Sequence, residues 1–145
     1  LTTSLLQSSI NKINSALKDL LKDSPYSVTV IYDGSINMMC KVNNIVLNYE
    51  SLSSGEKKVV ELALIVAFNN VYNDVFNLEK GLIGSIFLDE IFTFLDPENL
   101  NLCKQILESL QSSCILITHE EELKNLFSRK ILVEKVDNSS VYHFQ

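Results

Sequence analysis

Two adjacent carboxylates follow a short apolar segment in the second half of the chain. Asp89 and Glu90 come directly after residues 86–88, Ile-Phe-Leu, a run that is typical of a buried strand. At the carboxyl end of such a strand, one carboxylate can hold Mg²⁺, directly or through water, while its neighbour polarises an attacking water. The pair therefore predicts a metal-assisted hydrolytic site. The alternative is that both acids simply begin a solvated loop.

A second apolar segment ends in a histidine. Residues 114–117, Cys-Ile-Leu-Ile, are followed by Thr118 and His119. The carboxyl ends of neighbouring parallel strands share one edge of a sheet, and binding groups concentrate at that edge. From there His119 can hydrogen-bond a terminal phosphate. Taken alone, it can equally cap the short helix that is predicted to begin at Glu120.

A turn with serine and glycine precedes the longest apolar helix of the pattern. Residues 52–56 read Leu-Ser-Ser-Gly-Glu. The simpler interpretation is a helix start, in which Ser53 or Ser54 caps free backbone amides and Glu56 interacts favourably with the helix dipole. The functional interpretation is an anion site, because the same amides and hydroxyls can face a phosphate.

The elements that must position these segments alternate between strand and helix. The apolar strands at 86–88 and 114–117 are separated by a helix predicted over 97–110, which begins with a proline. This alternation predicts an α/β fold with a mostly parallel sheet, whose strands are buried on both faces by helices. The other predicted elements are a hairpin around Asp33-Gly34, a strand over 45–49 after a turn at Asn43-Asn44, a helix from Gly55 to about Tyr72, a loop over 79–84, a short helix over 120–127, and strands over 130–135 and 140–144.

The first 22 residues predict a helix with one apolar stripe, which ends at Ser24-Pro25. The stripe has alternating spacings of four and three, at Leu6, Ile10, Ile13, Leu17 and Leu20. This is the pattern of a coiled-coil seam. It is equally typical of an ordinary amphipathic helix, so both interpretations stay open.

Composition excludes several classes of protein. The 145 residues carry 12 Lys and Arg against 18 Asp and Glu, a net charge of −6, so the chain does not coat nucleic acid by charge alone. Its three cysteines show neither CxxC nor Cys/His metal spacing, which argues against a disulfide framework or a zinc site. The most apolar stretch, residues 59–68, contains Glu61 and is too short to span a bilayer. We therefore expect an intracellular, cytoplasmic chain without a membrane partner.

Taken together, the motifs and their order resemble the carboxyl-terminal lobe of an ABC-type ATPase head. Residues 52–56 are similar to the ABC signature motif, and residues 86–90 to Walker B with its catalytic glutamate. Leu95-Asp96 is similar to the D-loop and Thr118-His119 to the switch histidine. The form Leu-Ser-Ser-Gly-Glu-Lys-Lys over 52–58, with Glu where transporters have Gln, resembles the SMC-like DNA-repair ATPases of the SbcC type and phage recombination-endonuclease ATPase subunits.

In that family a long coiled coil separates two lobes of the head. The resemblance implies that residues 1–23 are the end of the coiled-coil arm and residues 24–145 the carboxyl-terminal lobe. None of the four glycines lies in a GxxxxGK[ST] motif, so the Walker A segment that cradles the phosphates is expected on a separate amino-terminal lobe. We therefore do not expect this lobe alone to hydrolyse ATP.

The resemblance also implies roles for the motif residues in a dimer of heads that encloses ATP. Asp89 would hold Mg²⁺, directly or through water. Glu90 would orient and deprotonate the attacking water, and His119 would contact the terminal phosphate. The implied nucleotide-binding residues are Ser53, Ser54, Gly55, Glu56 and Asp96.

The implied partners are the amino-terminal lobe, a second head, a metal-dependent nuclease subunit and DNA. Basic residues that could form local DNA-binding patches are Lys57, Lys58, Lys124, Arg129 and Lys130. Three alternatives share the motifs. They are a transporter ATPase subunit, a chromosome-tethering SMC protein without a nuclease, and a degenerate lobe that serves as a scaffold.

Overall fold

The computed structural model describes residues 2–75, 85–119, 123, 127–137 and 139–144. The helices are α1 (Thr2–Leu20), α2 (Ser54–Val75) and α3 (Pro97–Glu108), with a 3₁₀ turn at Tyr49–Ser51. The strands are β1 (Tyr26–Tyr32), β2 (Ile36–Val42), β3 (Ile45–Leu47), β4 (Ile86–Asp89), β5 (Cys114–Ile117), β6 (Ile131–Val136) and β7 (Ser139–Phe144). The predicted loop over 79–84 lies outside the described residues, as does most of the short helix predicted over 120–127.

The apolar stripe of α1 packs into the core of this chain. Ile10, Ile13 and Leu17 are buried in one cluster with residues of β1 and α2. Asn14 fixes the helix to β1, since its side-chain amide donates to the Val30 carbonyl at 2.9 Å and its oxygen accepts from the Val30 N–H at 2.7 Å. From Ile10 onward α1 therefore behaves as an amphipathic helix, because its apolar stripe packs on the sheet of the same chain.

The first three strands form an antiparallel sheet in the order β1-β2-β3. The hairpin predicted at Asp33-Gly34 is confirmed, with the loop closing between Tyr32 and Ile36 and Gly34 at φ 107°. The second turn is also confirmed, because Asn43 and Asn44 both have positive φ, as a two-residue hairpin of this kind requires.

The third strand is shorter than predicted. Its ladder with β2 ends at the pair Cys40 and Leu47, and Tyr49 lies in the 3₁₀ turn rather than in a strand. The reason is a tertiary contact with the next helix, since the Tyr49 hydroxyl donates to the Glu61 carboxylate on α2. This bond raises the pKa of Tyr49 to about 12.

The buried helix is confirmed and is slightly longer than predicted. Val59, Ala63, Val66 and Ala67 of α2 are fully buried between α1 and α3. Because apolar residues occupy most of its circumference, α2 forms the centre of the lobe. Its first turn, which carries Ser54 and the glycine, lies beside the segment after β4.

Strands β4 and β5 are parallel, as predicted, and Asp89 lies opposite Ile117. They are the one parallel pair among the described strands, because β1-β2, β2-β3 and β6-β7 pair antiparallel, so the expectation of a mostly parallel sheet holds only for this pair. The expectation that both faces of these strands are buried is wrong for the described residues. Leu88 is buried, whereas Phe87 on the other face is 67% exposed and Ile117 is 50% exposed. Leu88 lies in the core with residues of α2 and α3, and within the described ranges the opposite face presents apolar side chains to the surface.

The last two strands form a separate antiparallel hairpin, β6 with β7, close to the predicted bounds. No helix among the described residues combines the length and the apolar character that a membrane span requires.

Candidate functional site

The acidic pair and the histidine meet at one edge of the parallel strands. Asp89 is the last residue of β4, and the Glu90 backbone N–H donates to the Ile117 carbonyl at 3.0 Å. This bond extends the pairing of the two strands by one residue and brings His119 beside the acid. The His119 Nε2 atom lies 3.3 Å from the Glu90 Oε1 atom.

Exposure at this edge differs between the two partners. The His119 side chain is 95% exposed and that of Glu90 is 36% exposed. Asp89 is also exposed at the surface. The edge therefore presents a carboxylate, a half-buried carboxylate and an imidazole to whatever binds there.

A residue that the sequence reasoning missed holds Glu90. The Thr93 hydroxyl donates to the Glu90 Oε2 atom at 2.7 Å, and the Thr93 N–H donates to the Glu90 carbonyl at 3.3 Å. Glu90 itself has φ 51°, a left-handed conformation that is uncommon outside glycine. A hydroxyl three residues after the acid was the available signal, since Ser and Thr side chains often bond to nearby groups in turns.

Ser53 caps the amino terminus of α2. The Glu56 N–H donates to the Ser53 hydroxyl at 3.2 Å, and the Ser53 N–H donates to Glu56 Oε2 at 2.7 Å. This is a reciprocal capping box, so the helix-start interpretation is confirmed for both residues. Ser54 begins the helix and is exposed. Within the described part of the chain the Ser53 hydroxyl only accepts, which leaves its hydrogen available to an anion.

The turn formed by residues 52–56, named the signature turn for its resemblance to that motif, lies against the segment that contains Asp96. A Cβ atom on Gly55 would sit 3.5 Å from both Asn99 Nδ2 and Leu95 Cδ2, and 3.9 Å from Asp96 Oδ2. These are ordinary van der Waals distances. The glycine and the acid, far apart in sequence, thus share one surface of the lobe.

Asp96 is held by a short hydrogen-bond network. Its Oδ1 atom accepts from the Asn99 backbone N–H at 2.9 Å, and its Oδ2 atom accepts from the Asn99 side chain at 2.7 Å. The backbone bond is the main reason why the pKa of Asp96 lies below its ordinary value. The Asn99 side-chain oxygen accepts from the Tyr26 hydroxyl at 2.7 Å, and burial is the main cause that raises the pKa of that tyrosine.

Two lysines that sequence alone offered for DNA contact are engaged within the lobe. Lys57 donates to the Glu50 carbonyl at 3.2 Å and lies 5.4 Å from the centre of the Tyr49 ring. Lys58 donates to the Thr93 carbonyl. Lys124 lies outside the described residues, Arg129 is exposed and Lys130 is half-buried.

The structure brings the predicted residues into two groups. Asp89, Glu90 and His119 form the strand-end group, and Ser53, Gly55 and Asp96 form the helix-start group. Lys58 joins them, since it belongs to α2 and bonds to the loop after β4. The described residues contain no group of three or more side chains that could hold a metal ion on its own. A single carboxylate at Asp89 nevertheless fits Mg²⁺, which takes most of its ligands from phosphates and water.

A protein-family model described as SbcC/RAD50-like, Walker B motif, matches residues 30–109, more than half of the chain. The chain belongs to this SbcC/RAD50-like family. The match contains the signature turn, the pair Asp89-Glu90 and Leu95-Asp96, whereas His119 lies beyond it. The placement of His119 therefore depends on the strand-end geometry alone.

Curated relatives agree with this assignment. The SbcC subunit of the nuclease SbcCD from Lactococcus lactis is 32% identical over 90 residues, which cover 60% of this chain and 8% of that protein. The SbcC subunit from Pseudomonas aeruginosa is 31% identical over 91 residues, covering 61% and 7%. A putative ABC transporter ATP-binding protein from Bartonella henselae is 30% identical over 84 residues, covering 58% and 31%. The chain thus spans under a tenth of the length of these two SbcC proteins.

Solved structures show the same fold. A chain from a study of ATP-driven dimerization and DNA-stimulated activation of SMC ATPases has a TM-score of 0.77 at 18% identity, covering 98% of this chain and 88% of that one. The Smc head domain from Pyrococcus furiosus, with an extended coiled coil and bound to the C-terminal domain of ScpA, has a TM-score of 0.74 at 20% identity, covering 99% and 36%. The expected fold, the carboxyl-terminal lobe of an SMC-like ABC ATPase head, is confirmed.

Proposed function

We propose that this lobe completes an ATP-binding and ATP-hydrolysing head that dimerises around nucleotide and regulates a partner nuclease on DNA. Residues 1–23 would be the end of a coiled-coil arm, which packs against the lobe from Ile10 onward, and residues 24–145 the lobe itself. An amino-terminal lobe would supply the Walker A cradle. The family assignment supports the ATPase class, and the names of the SbcCD relatives support the nuclease complex.

The observation that carries the proposal is the opposition of Glu90 and His119 at the ends of β4 and β5. A carboxylate in this place can accept a proton from a water molecule, and an imidazole beside it can bond to a phosphate oxygen. Asp89 would hold Mg²⁺, which would neutralise charge on the phosphates. Hydrolysis would then require the amino-terminal lobe to hold the nucleotide so that its terminal phosphate and the attacking water lie between these groups.

The helix-start group would serve the second head. The Ser53 hydroxyl, Ser54, the Gly55 backbone and the free amides of α2 form an anion-binding surface, and Glu56 stabilises that turn through the capping box. Asp96 adjoins this surface and would communicate across the dimer. One head would then hydrolyse the nucleotide that the signature turn of the other head contacts. Loss of the terminal phosphate would release the dimer.

The experiment uses the complete head, with both lobes present. Glu90→Gln should retain ATP binding, slow hydrolysis by roughly a hundredfold or more and prolong ATP-dependent dimerisation, because a general base contributes about this much. Ser53→Arg should abolish ATP-dependent dimers while one head still binds ATP. Glu108→Gln, an exposed acid at the end of α3, and Ser27→Arg on β1 are the matched controls. Normal turnover in Glu90→Gln, or dimers in Ser53→Arg, would refute the respective assignment.

The nuclease partner is tested separately, because a chromosome-tethering SMC protein would give the same ATPase result. The reading frame upstream of Leu1 decides between the classes. A GxxxxGK[ST] motif several hundred residues upstream, separated by heptads, supports the SMC-like class. The same motif about a hundred residues upstream, without a coil, would instead indicate a transporter-type ATPase. Within the SMC-like class, co-purification of a metal-dependent nuclease with the complete protein would support the repair complex.

A further inference from the structure

Thr93 lies in the loop after β4, outside all of the predicted motifs, and bonds both to Glu90 and to α2. Thr93 uses its hydroxyl, its N–H and its carbonyl, and all three bonds connect the loop to functional elements. The first two go to Glu90, as described, and the third accepts from Lys58 on α2. The bond from the Thr93 hydroxyl to the acidic side chain is additional to the backbone bond that closes the turn.

We propose that Thr93 is the positioning residue for the Glu90 carboxylate, and that Lys58 couples this position to the signature helix. This inference depends on the proposed function, because it assigns Thr93 a role in that same hydrolysis. It adds two residues to the site and a connection between its two groups.

Geometry favours a fixed rather than an adaptable carboxylate. Thr93 holds Oε2 of Glu90 at 2.7 Å, and His119 lies 3.3 Å from Oε1, so each oxygen has its own neighbour. A free glutamate side chain samples several rotamers. Any rotamer that moves the carboxylate away from the attacking water lowers the rate of hydrolysis. The Thr93 hydroxyl donates a hydrogen bond to the carboxylate and so removes much of this freedom. The carboxylate can still accept a proton from water.

The loop itself is anchored, so that the hydroxyl has a defined place. Phe92, next to Thr93, is 1% exposed and lies in the main core. Glu90 and Phe94 both have positive φ, which tightens the chain on either side of that anchor. The backbone therefore fixes Thr93, and Thr93 in turn fixes the side chain of Glu90.

Lys58 transmits the state of α2 to this loop. It lies one turn into the helix whose first residues form the signature turn, and its ammonium bonds to the Thr93 carbonyl. A shift of α2 on contact with a second head would therefore move Thr93 and, with it, the carboxylate. The two groups of the site are thereby joined through one ammonium and one threonine.

The test compares variants of the complete head in steady-state ATP hydrolysis. Thr93→Val keeps the branched shape and the carbonyl but removes the hydroxyl. It should lower kcat roughly tenfold with KM for ATP unchanged. Thr93→Ser should restore most of kcat. Lys58→Met should lower kcat severalfold, whereas Lys41→Met, at a half-buried lysine of β2, should leave it unchanged.

A purely structural role for Thr93 would give a different result. It would lower the unfolding temperature in Thr93→Val while the folded protein kept its kcat, and that outcome overturns the inference. Failure of Thr93→Ser to restore turnover would overturn it as well. Glu90→Gln in the same assay separates the two proposals. If Glu90→Gln abolishes ATP turnover and Thr93→Val leaves turnover unchanged, only the inference on Thr93 fails. If Glu90→Gln hydrolyses ATP normally, the proposed function fails first.

Discussion

At Asp96, one carboxylate both starts α3 and faces the signature turn. Its Oδ1 atom accepts from the Asn99 N–H, and this bond favours the ionised form and lowers the pKa of Asp96. A depressed carboxyl pKa contributes stability above the unfolded value, near 3.9, and loses it as the pH falls through the folded value. The charge of Asp96 should therefore stabilise the lobe at neutral pH and not in strong acid.

Asp96→Asn tests this expectation, because asparagine caps a helix about as well as aspartate but carries no charge. The variant should be less stable than the wild type above about pH 5, by less than about 1 kcal/mol since the group is exposed. The difference should shrink as the pH falls through the lowered pKa of Asp96 and vanish in stronger acid, where the carboxyl is protonated in both states. Thermal unfolding midpoints across this range measure it, with Glu108→Gln on the same helix as the control. A difference that stayed constant with pH would exclude the charge as its cause.

How far single residues could be predicted depends on the range of their contacts. The start of α3 at Pro97 and the strand-end pair Asp89-Glu90 follow from local sequence, and the structure places them in the expected elements, whereas the cap that Asp96 provides was not predicted. Thr93 was missed because a threonine in a loop has many possible partners. Lys58 was assigned to a surface patch because sequence does not show that its ammonium reaches the loop after β4.

Between elements, one side chain joins α2 to the turn that follows α3. The Asn70 amide donates to the Ser109 carbonyl at 2.8 Å, and its oxygen accepts from the Gln111 N–H at 3.0 Å. Helix ends leave such backbone groups without partners inside the helix. Asn70 thus closes the end of α3 and sets the direction in which the chain enters β5. The register of β5 with β4, and so the position of His119, depends on this turn.

Asn70→Ala should lower the free energy of unfolding of the head by about 1 to 2 kcal/mol, because two modest hydrogen bonds are lost. Denaturant-induced unfolding measures the change. Asn101→Ala is the matched control, because Asn101 is an exposed residue of α3 and alanine favours helix. Equal stability of the Asn70 variant and the wild type would show that water replaces the two hydrogen bonds of Asn70 without a loss of free energy.

Element types were predicted better than element surroundings. Period and turn chemistry located α2, α3 and the hairpin at Asn43-Asn44, because these signals lie within a few residues of one another. The length of β3 was wrong because a tertiary contact of Tyr49 with α2 decides it. The prediction that both faces of β4 are buried was wrong. An apolar run indicates that a strand is buried in the complete protein, but it does not indicate which segment covers each face.

For the molecule as a whole, the notable surface is the face of β4 and β5 that no described helix covers. Phe87, Ile115 and Ile117 are exposed on the side opposite to the helices. Parallel strands are normally covered on both faces, and apolar surface of this kind favours association. We expect the amino-terminal lobe that supplies Walker A to cover this face. The same contact would bring the phosphate cradle to the edge that carries Asp89, Glu90 and His119.

A double variant tests this expectation. Phe87→Asp with Ile115→Asp should reduce self-association of the isolated chain in sedimentation or light scattering, because each change replaces apolar surface with charge. The same variant should fail to bind a separately expressed amino-terminal lobe, by at least about tenfold in Kd, because a buried unpaired carboxylate costs more than about 1.4 kcal/mol. Ile36→Asp, an equally exposed apolar residue at the start of β2, should leave both properties unchanged. Normal binding by the double variant would place the lobe elsewhere, and the strand ends would then have to meet the phosphates without a shared sheet.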